Sequence, residues 1–145
     1  MKILLDTPIL LWALANDARL PDASRRMIED GKNEIFYSIL SLWEVQGIHL
    51  DRKGPPVPDA ETLAGYCEEA GYRRLELTGT QVNGADSLFF SGGNGCRREL
   101  LLWMMASQAV EEDMMFLSAD PAAAAAEEPR ICYTEEKRQA QGAGL

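Results

Sequence analysis

The sequence predicts an α/β fold, a mainly parallel sheet sandwiched by helices. Three observations carry that reading. Short apolar runs of strand length alternate with longer helical segments along the chain. The first run, Lys2–Leu5, is followed on both faces by apolar neighbours, the pattern of a strand buried between two layers. A length of 145 residues suits one domain with one substantial core.

Each element follows from its residues. After the first strand, Asp6-Thr7-Pro8 starts a helix, with Thr7 as its cap and Pro8 suited to the first helical position. Ile9, Leu10, Leu11, Trp12 and Leu14 carry that helix to Asn16. A second helix follows Pro21-Asp22, turning Arg25, Arg26, Glu29 and Asp30 outward and Met27 and Ile28 inward, and it ends at Gly31. Residues 34–37, rich in Ile and aromatics, form strand two. Ser38 caps a third helix that runs through Trp43 and Glu44 to about His49. Gly54-Pro55-Pro56-Val57-Pro58 is a surface loop, because neither side of it is large enough to stand alone.

Residues 59–70 form an amphipathic helix stopped by Gly71, and 73–77 form strand three. Thr80 starts a helix to about Phe90, and Ser91-Gly92-Gly93-Asn94-Gly95 reads as a flexible loop. The next helix, 97–112, is apolar on every face from Leu100 to Ala106 and so belongs at the centre of the fold. Residues 114–117 are strand four, 122–126 a short helical turn, and 130–133 a last edge strand. Residues 1–133 therefore make the domain. Residues 134–145, rich in Glu, Lys, Arg, Gln, Gly and Ala, read as a disordered tail.

A net charge of −9 argues against a protein that grips nucleic acid by a general basic surface. It leaves room for a nuclease, since acids filled by metal ions present a locally positive site. Cys67, Cys96 and Cys132 are odd in number and share no metal-ligand spacing, which fits reduced thiols in a cytoplasmic protein. The apolar N-terminus is interrupted by Asp6 and Pro8, against a secretion signal. The run from Leu100 to Ala109 falls far short of the roughly 20 residues of a membrane span.

Asp6 and Asp120 end strands one and four, and Glu44 lies in the helix after strand two. Ligands of open α/β sheets bind at the carboxyl ends of the strands, so these acids would meet there if the two strands are neighbours. A carboxylate near a core is costly unless it binds a cation or finds donors. The cluster therefore points to a divalent-metal site. Each acid also has a plainer reading: Asp6 as a helix cap, Glu44 as an exposed helix former, and Asp120 before Pro121 as a turn starter.

With these residues in view the chain resembles a PIN domain, specifically the VapC-like toxins of bacterial toxin–antitoxin pairs. Met1-Lys2-Ile3-Leu4-Leu5-Asp6-Thr7 with Leu10-Leu11-Trp12-Ala13-Leu14 is similar to the family's opening. Ser41-Leu42-Trp43-Glu44-Val45 is similar to its second motif and Ser118-Ala119-Asp120-Pro121 to its closing one, while Arg19-Leu20 fits the approach to its second helix.

The resemblance implies a three-layer α/β/α sandwich with a five-stranded parallel sheet in the order 3-2-1-4-5. It also implies Mg²⁺- or Mn²⁺-dependent cleavage of RNA, a homodimer, and inhibition by a cognate antitoxin. By position it makes Asp6, Glu44 and Asp120 the catalytic, metal-binding acids, with Ser118 where a hydroxyl is usual and Thr7 close to metal-bound water.

One family acid is missing. Counting back from Ser107-Gln108-Ala109, its position falls on Leu102, and Glu99 lies one helical turn earlier as a substitute ligand or as a solvated helix residue. Three carboxylates can hold one Mg²⁺ completed by water; holding two is harder. Arg97 and Arg98 are candidates for phosphate contact. Arg25-Arg26 and Arg73-Arg74 read as solvated faces, His49 as a surface residue, and Trp12 and Trp43 as packing residues.

Two rival readings remain. One is a catalytically inactive PIN domain that binds an antitoxin or RNA, motivated by Leu102. The other is a Mg²⁺ phosphotransfer protein such as a receiver or phosphatase, disfavoured by a single Asp6 and no lysine between Lys53 and Lys137.

Overall fold

Five parallel strands run in the order β3-β2-β1-β4-β5, as expected. The structure is a computed structural model that describes residues 1–88 and 97–136, without the side chains of 86–88 and 97–98. The strands are β1 (Lys2–Leu5), β2 (Glu34–Ser38), β3 (Arg73–Leu75), β4 (Met115–Ser118) and β5 (Ile131–Tyr133). The helices are α1 (Thr7–Ala15), α2 (Asp22–Glu29), α3 (Ile39–Leu50), α4 (Ala60–Glu69), α5 (Gly79–Leu88) and α6 (Arg97–Glu111). A 3₁₀ turn spans Pro121–Ala125.

The period-2 alternation of the central strands divides the interior in two. Ile3, Leu5, Ile35, Tyr37 and Leu117 point to one side, where Ile9, Leu10 and Trp12 of α1, Leu42 and Val45 of α3, and Leu63 and Cys67 of α4 cover them. Leu4, Phe36 and Phe116 point to the other, under Ala85 of α5 and Leu102, Trp103, Met105, Ala106 and Ala109 of α6. Beyond their first residues the three central strands are thus buried whichever way a side chain faces, which is why they read as apolar runs.

Helix ends follow local chemistry. Ser38 Oγ accepts from Leu40 N at 3.0 Å and Asp59 Oδ1 from Thr62 N at 2.8 Å, capping α3 and α4. Gly71, with φ of 81°, makes the left-handed turn after α4. Strand three is shorter than the expected 73–77: just past it, Glu76 O accepts from the buried Gln108 Nε2 at 3.1 Å and leaves the ladder.

Thr134, expected to open a frayed tail, belongs with the sheet: its amide donates to Ser118 O at 2.8 Å, and its hydroxyl is hydrogen-bonded to Ser24 Oγ at 2.9 Å. The expected loop 91–95, the end of the expected helix at Phe90, and the tail from 137 onward lie outside the described residues. Among the described residues no helix is long and apolar enough to cross a membrane.

Candidate active site

Parallel pairing aligns the carboxyl ends of the three central strands. Leu5 pairs with both Tyr37 and Leu117, so Asp6, Ser38 and Ser118 are the next residues on adjacent chains. Asp6 is only 2% exposed. Its amide still donates to Leu117 O at 3.0 Å, which keeps its backbone extended (φ −72°, ψ 172°). Asp6 therefore ends the ladder and caps α1 at once, its Oδ1 accepting from Ile9 N at 3.0 Å.

Of the two caps the sequence offered, Asp6 takes the place and Thr7 does not. Thr7 is the first helical residue, and its hydroxyl is hydrogen-bonded to Ser41 Oγ at 2.9 Å, tying α1 to α3.

The other oxygen of Asp6 is held from β4. Its Oδ2 accepts from Ser118 Oγ at 2.6 Å and from Ala119 N at 2.9 Å. Burial pushes the carboxyl up, the three donors pull it down, and the nearby charge of Asp120 pushes it up again; the result is about 6. Ser118 Oγ also accepts from Asp120 N at 3.1 Å, and Asp120 Oδ1 caps the 3₁₀ turn by accepting from Ala122 N at 3.0 Å. The hydroxyl at Ser118 thus positions one acid and the backbone of the next.

Asp6, Glu44 and Asp120 line one cleft of about 770 Å³, together with Thr7. Glu44 and Asp120 are half-buried. Leu101, Leu102 and Met105 form the α6 wall, and Leu102 is 3% exposed. Glu99 is not among the lining residues; its Oε1 accepts from Trp103 Nε1 at 3.5 Å on its own helix. The side chains of Arg97 and Arg98 lie outside the described residues. His49 is exposed, with Nδ1 2.9 Å from Val57 O.

Trp12 packs in the core as expected, but Trp43 is 55% exposed. Leu42 and Val45 take the inward face of α3, and a rotation of about 100° per residue turns Trp43 out.

The rest of the cleft was not expected from the sequence. Asp17, Arg19 and the loop Pro55, Pro56, Val57 and Pro58 line it beside Trp12. Arg19 Nε donates to Asp17 Oδ1 at 3.1 Å and Nη2 to Oδ2 at 2.7 Å, while its guanidinium lies 5.4 Å from the Trp12 ring centroid. The Asp-x-Arg spacing soon after Trp12 was the available signal.

Oxygen-only donors suit Mg²⁺ or Mn²⁺. A cation beside Asp6 would relieve both the burial cost and the repulsion from Asp120 that raise its carboxyl. The donor chemistry thus fits one hard cation. It does not form a closed cage: among the described residues, no group of three His, Cys, Asp or Glu side chains stands ready to hold a metal ion.

No protein-family model and no curated protein matches the sequence. The fold is similar to that of a chain in the crystal structure of VapBC2 from Rickettsia felis bound to a DNA fragment from their promoter. The two share 16% identity with a TM-score of 0.57, over 94% of this chain and 100% of that one. At that identity the likeness speaks for the fold: the chain has the PIN-like three-layer sandwich.

Proposed function

We propose that the chain is a PIN-domain ribonuclease of VapC-like toxin type, hydrolysing RNA phosphodiester bonds with Mg²⁺ or Mn²⁺. The observation that carries this is Asp6, a carboxylate buried at the carboxyl edge of the central strand and fixed by three donors beside a cleft that Glu44 and Asp120 also line. Asp6 and Asp120 would hold the cation, with Glu44 as a further ligand. A bound cation supplies positive charge at the oxygens of the scissile phosphate. Ser118 and Ala119 N hold Asp6 in one orientation. Glu44, half-exposed in the same cleft, is suited to accept a proton from the attacking water at its carboxylate.

The similarity to a VapBC2 chain supports an antitoxin as the partner. Exposed Trp43 and Leu50, seven residues apart on α3, support a homodimer through that helix. Sedimentation equilibrium tests the dimer, and a monomer at every concentration removes that part of the reading.

A second reading, a catalytically inactive PIN domain that keeps its binding role, is favoured by Leu102, which lines the cleft at the position of the missing acid. RNA cleavage in Mn²⁺ and Mg²⁺ separates the two. The ribonuclease predicts activity in the wild type, a loss of at least about 100-fold in Asp6→Ala, and a gain in Leu102→Asp. An inert wild type with an active Leu102→Asp supports the inactive reading. Activity unchanged by Asp6→Ala sinks the site assignment.

A further inference from the structure

The cleft has a second half that metal-dependent hydrolysis does not use. Along α1, Trp12 follows Asp6 by six residues, roughly 9 Å of helix axis at about 1.5 Å each. There Arg19 lies over the Trp12 ring, tied by two side-chain hydrogen bonds to Asp17. Its backbone amide donates to the same Asp17 Oδ1 at 2.9 Å, so the loop and the side chain are fixed together. The loop Pro55, Pro56, Val57 and Pro58 also lines this part, with Leu11 and Ile48.

We infer that Arg19 is a stacking platform for a nucleobase of the RNA, a subsite beside the carboxylates. The inference rests on the ribonuclease reading and names what that cleft would recognise next to the scissile bond. Three features select a base over a phosphate. Asp17 already occupies the Nε–Nη2 edge of the guanidinium and offsets its charge, so the side-on bidentate grip on a phosphate is taken. The guanidinium carbon lies over the Trp12 ring, 5.4 Å from its centroid, and the side chain is 47% exposed, so the group is held beside an aromatic ring and is still accessible to a ligand. The surrounding wall of prolines and aliphatic side chains suits a base, and a guanidinium plane stacks on any base. The guanidinium is held before the ligand arrives, so little side-chain freedom is lost on binding.

Arg19→Lys keeps the charge but removes the plane. The test is binding of short single-stranded oligoribonucleotides, read by fluorescence anisotropy in Ca²⁺, with the fold of each variant checked by circular dichroism. A set of otherwise identical oligonucleotides carries one abasic nucleotide at each successive position.

The platform predicts that Arg19→Lys weakens binding of the intact oligonucleotide about tenfold. It also predicts one abasic position at which wild type and variant bind alike. If the wild type binds RNA and Arg19→Lys binds equally well, the subsite is overturned while the ribonuclease reading stands, leaving this end of the cleft to a polypeptide partner. A tenfold loss that persists at every abasic position also overturns it, since the arginine then acts through charge or structure. A wild type that binds no RNA overturns both.

Discussion

Asp6 answers two demands with one carboxylate, and the second makes it costly. As a cap it must sit at the end of α1, and because its amide belongs to the β1–β4 ladder it must sit inside the sheet edge as well. Burial raises its carboxyl from 3.8 to about 6, which sets a pH signature for the metal-free protein. Below 3.8 the group is protonated whether the chain is folded or unfolded. Between 3.8 and about 6 only the unfolded chain releases the proton, so stability falls as pH rises, and above about 6 the full cost is present. Two pKa units correspond to about 3 kcal/mol. Denaturant melts in chelator should therefore show the wild type losing about 3 kcal/mol relative to Asp6→Asn between about pH 3 and pH 7. Parallel curves for the two proteins would show that Asp6 is not the titrating group. That an acid stood at this strand end was legible from Leu4-Leu5-Asp6; Asp6 and Thr7 were both candidates for the cap, and residue type alone did not choose between them. Asp and Thr are both capping residues, and the ladder bond to Leu117 O, which holds Asp6 extended just ahead of the first helical residue, decides between them.

Helix α6 illustrates what pattern conveys about an element. Its apolar surface placed it at the centre, and Leu101, Leu102, Trp103, Met105, Ala106 and Ala109 are indeed buried. Its polar contacts were hidden, because they depend on carbonyls and hydroxyls brought from elsewhere. Gln108 is fully buried, donating to Glu76 O at 3.1 Å and accepting from Ser38 Oγ at 2.6 Å. Ser107 Oγ donates to Gln81 O on α5 at 2.7 Å, in the space that the absent side chain of Gly84 leaves open. A Cβ at Gly84 would meet that hydroxyl at 2.6 Å and displace it. Gly84→Ala should gain about 1 kcal/mol in helix propensity and lose about 1 kcal/mol with the hydrogen bond, for little net change. In a Ser107→Ala background the obstruction is gone, and the same substitution should stabilise by about 1 kcal/mol. A double-mutant cycle in urea measures this; equal effects in both backgrounds would mean that the helices do not meet there.

For the molecule as a whole, alternating elements conveyed the layers, but the order of the strands came from the resemblance, since hydrophobic runs do not record which neighbour a strand takes. The site divides in the same way. Among the acids lining the cleft, Asp6 and Asp120 were legible because each follows an apolar strand and Glu44 through the motif resemblance, whereas Arg19, Asp17 and the proline loop reach the cleft from segments more than thirty residues apart in sequence. Charge then constrains how such a cleft can hold RNA. The chain carries a net −9, and Arg19 is the one Lys or Arg among the described residues that line the cleft, against Asp6, Asp17, Glu44 and Asp120. A polyanion cannot be held there by many phosphate–cation pairs. For single strands each neutralised phosphate contributes about −0.7 to the slope of log affinity against log salt, so one or two contacts give a slope no steeper than about −1.5. Titrating an oligoribonucleotide in Ca²⁺ at several monovalent salt concentrations should give that shallow slope, and removing the divalent cation should abolish binding. A slope near −4 would require about six contacts and hence a basic surface outside the cleft, and RNA recognition would have to be moved there.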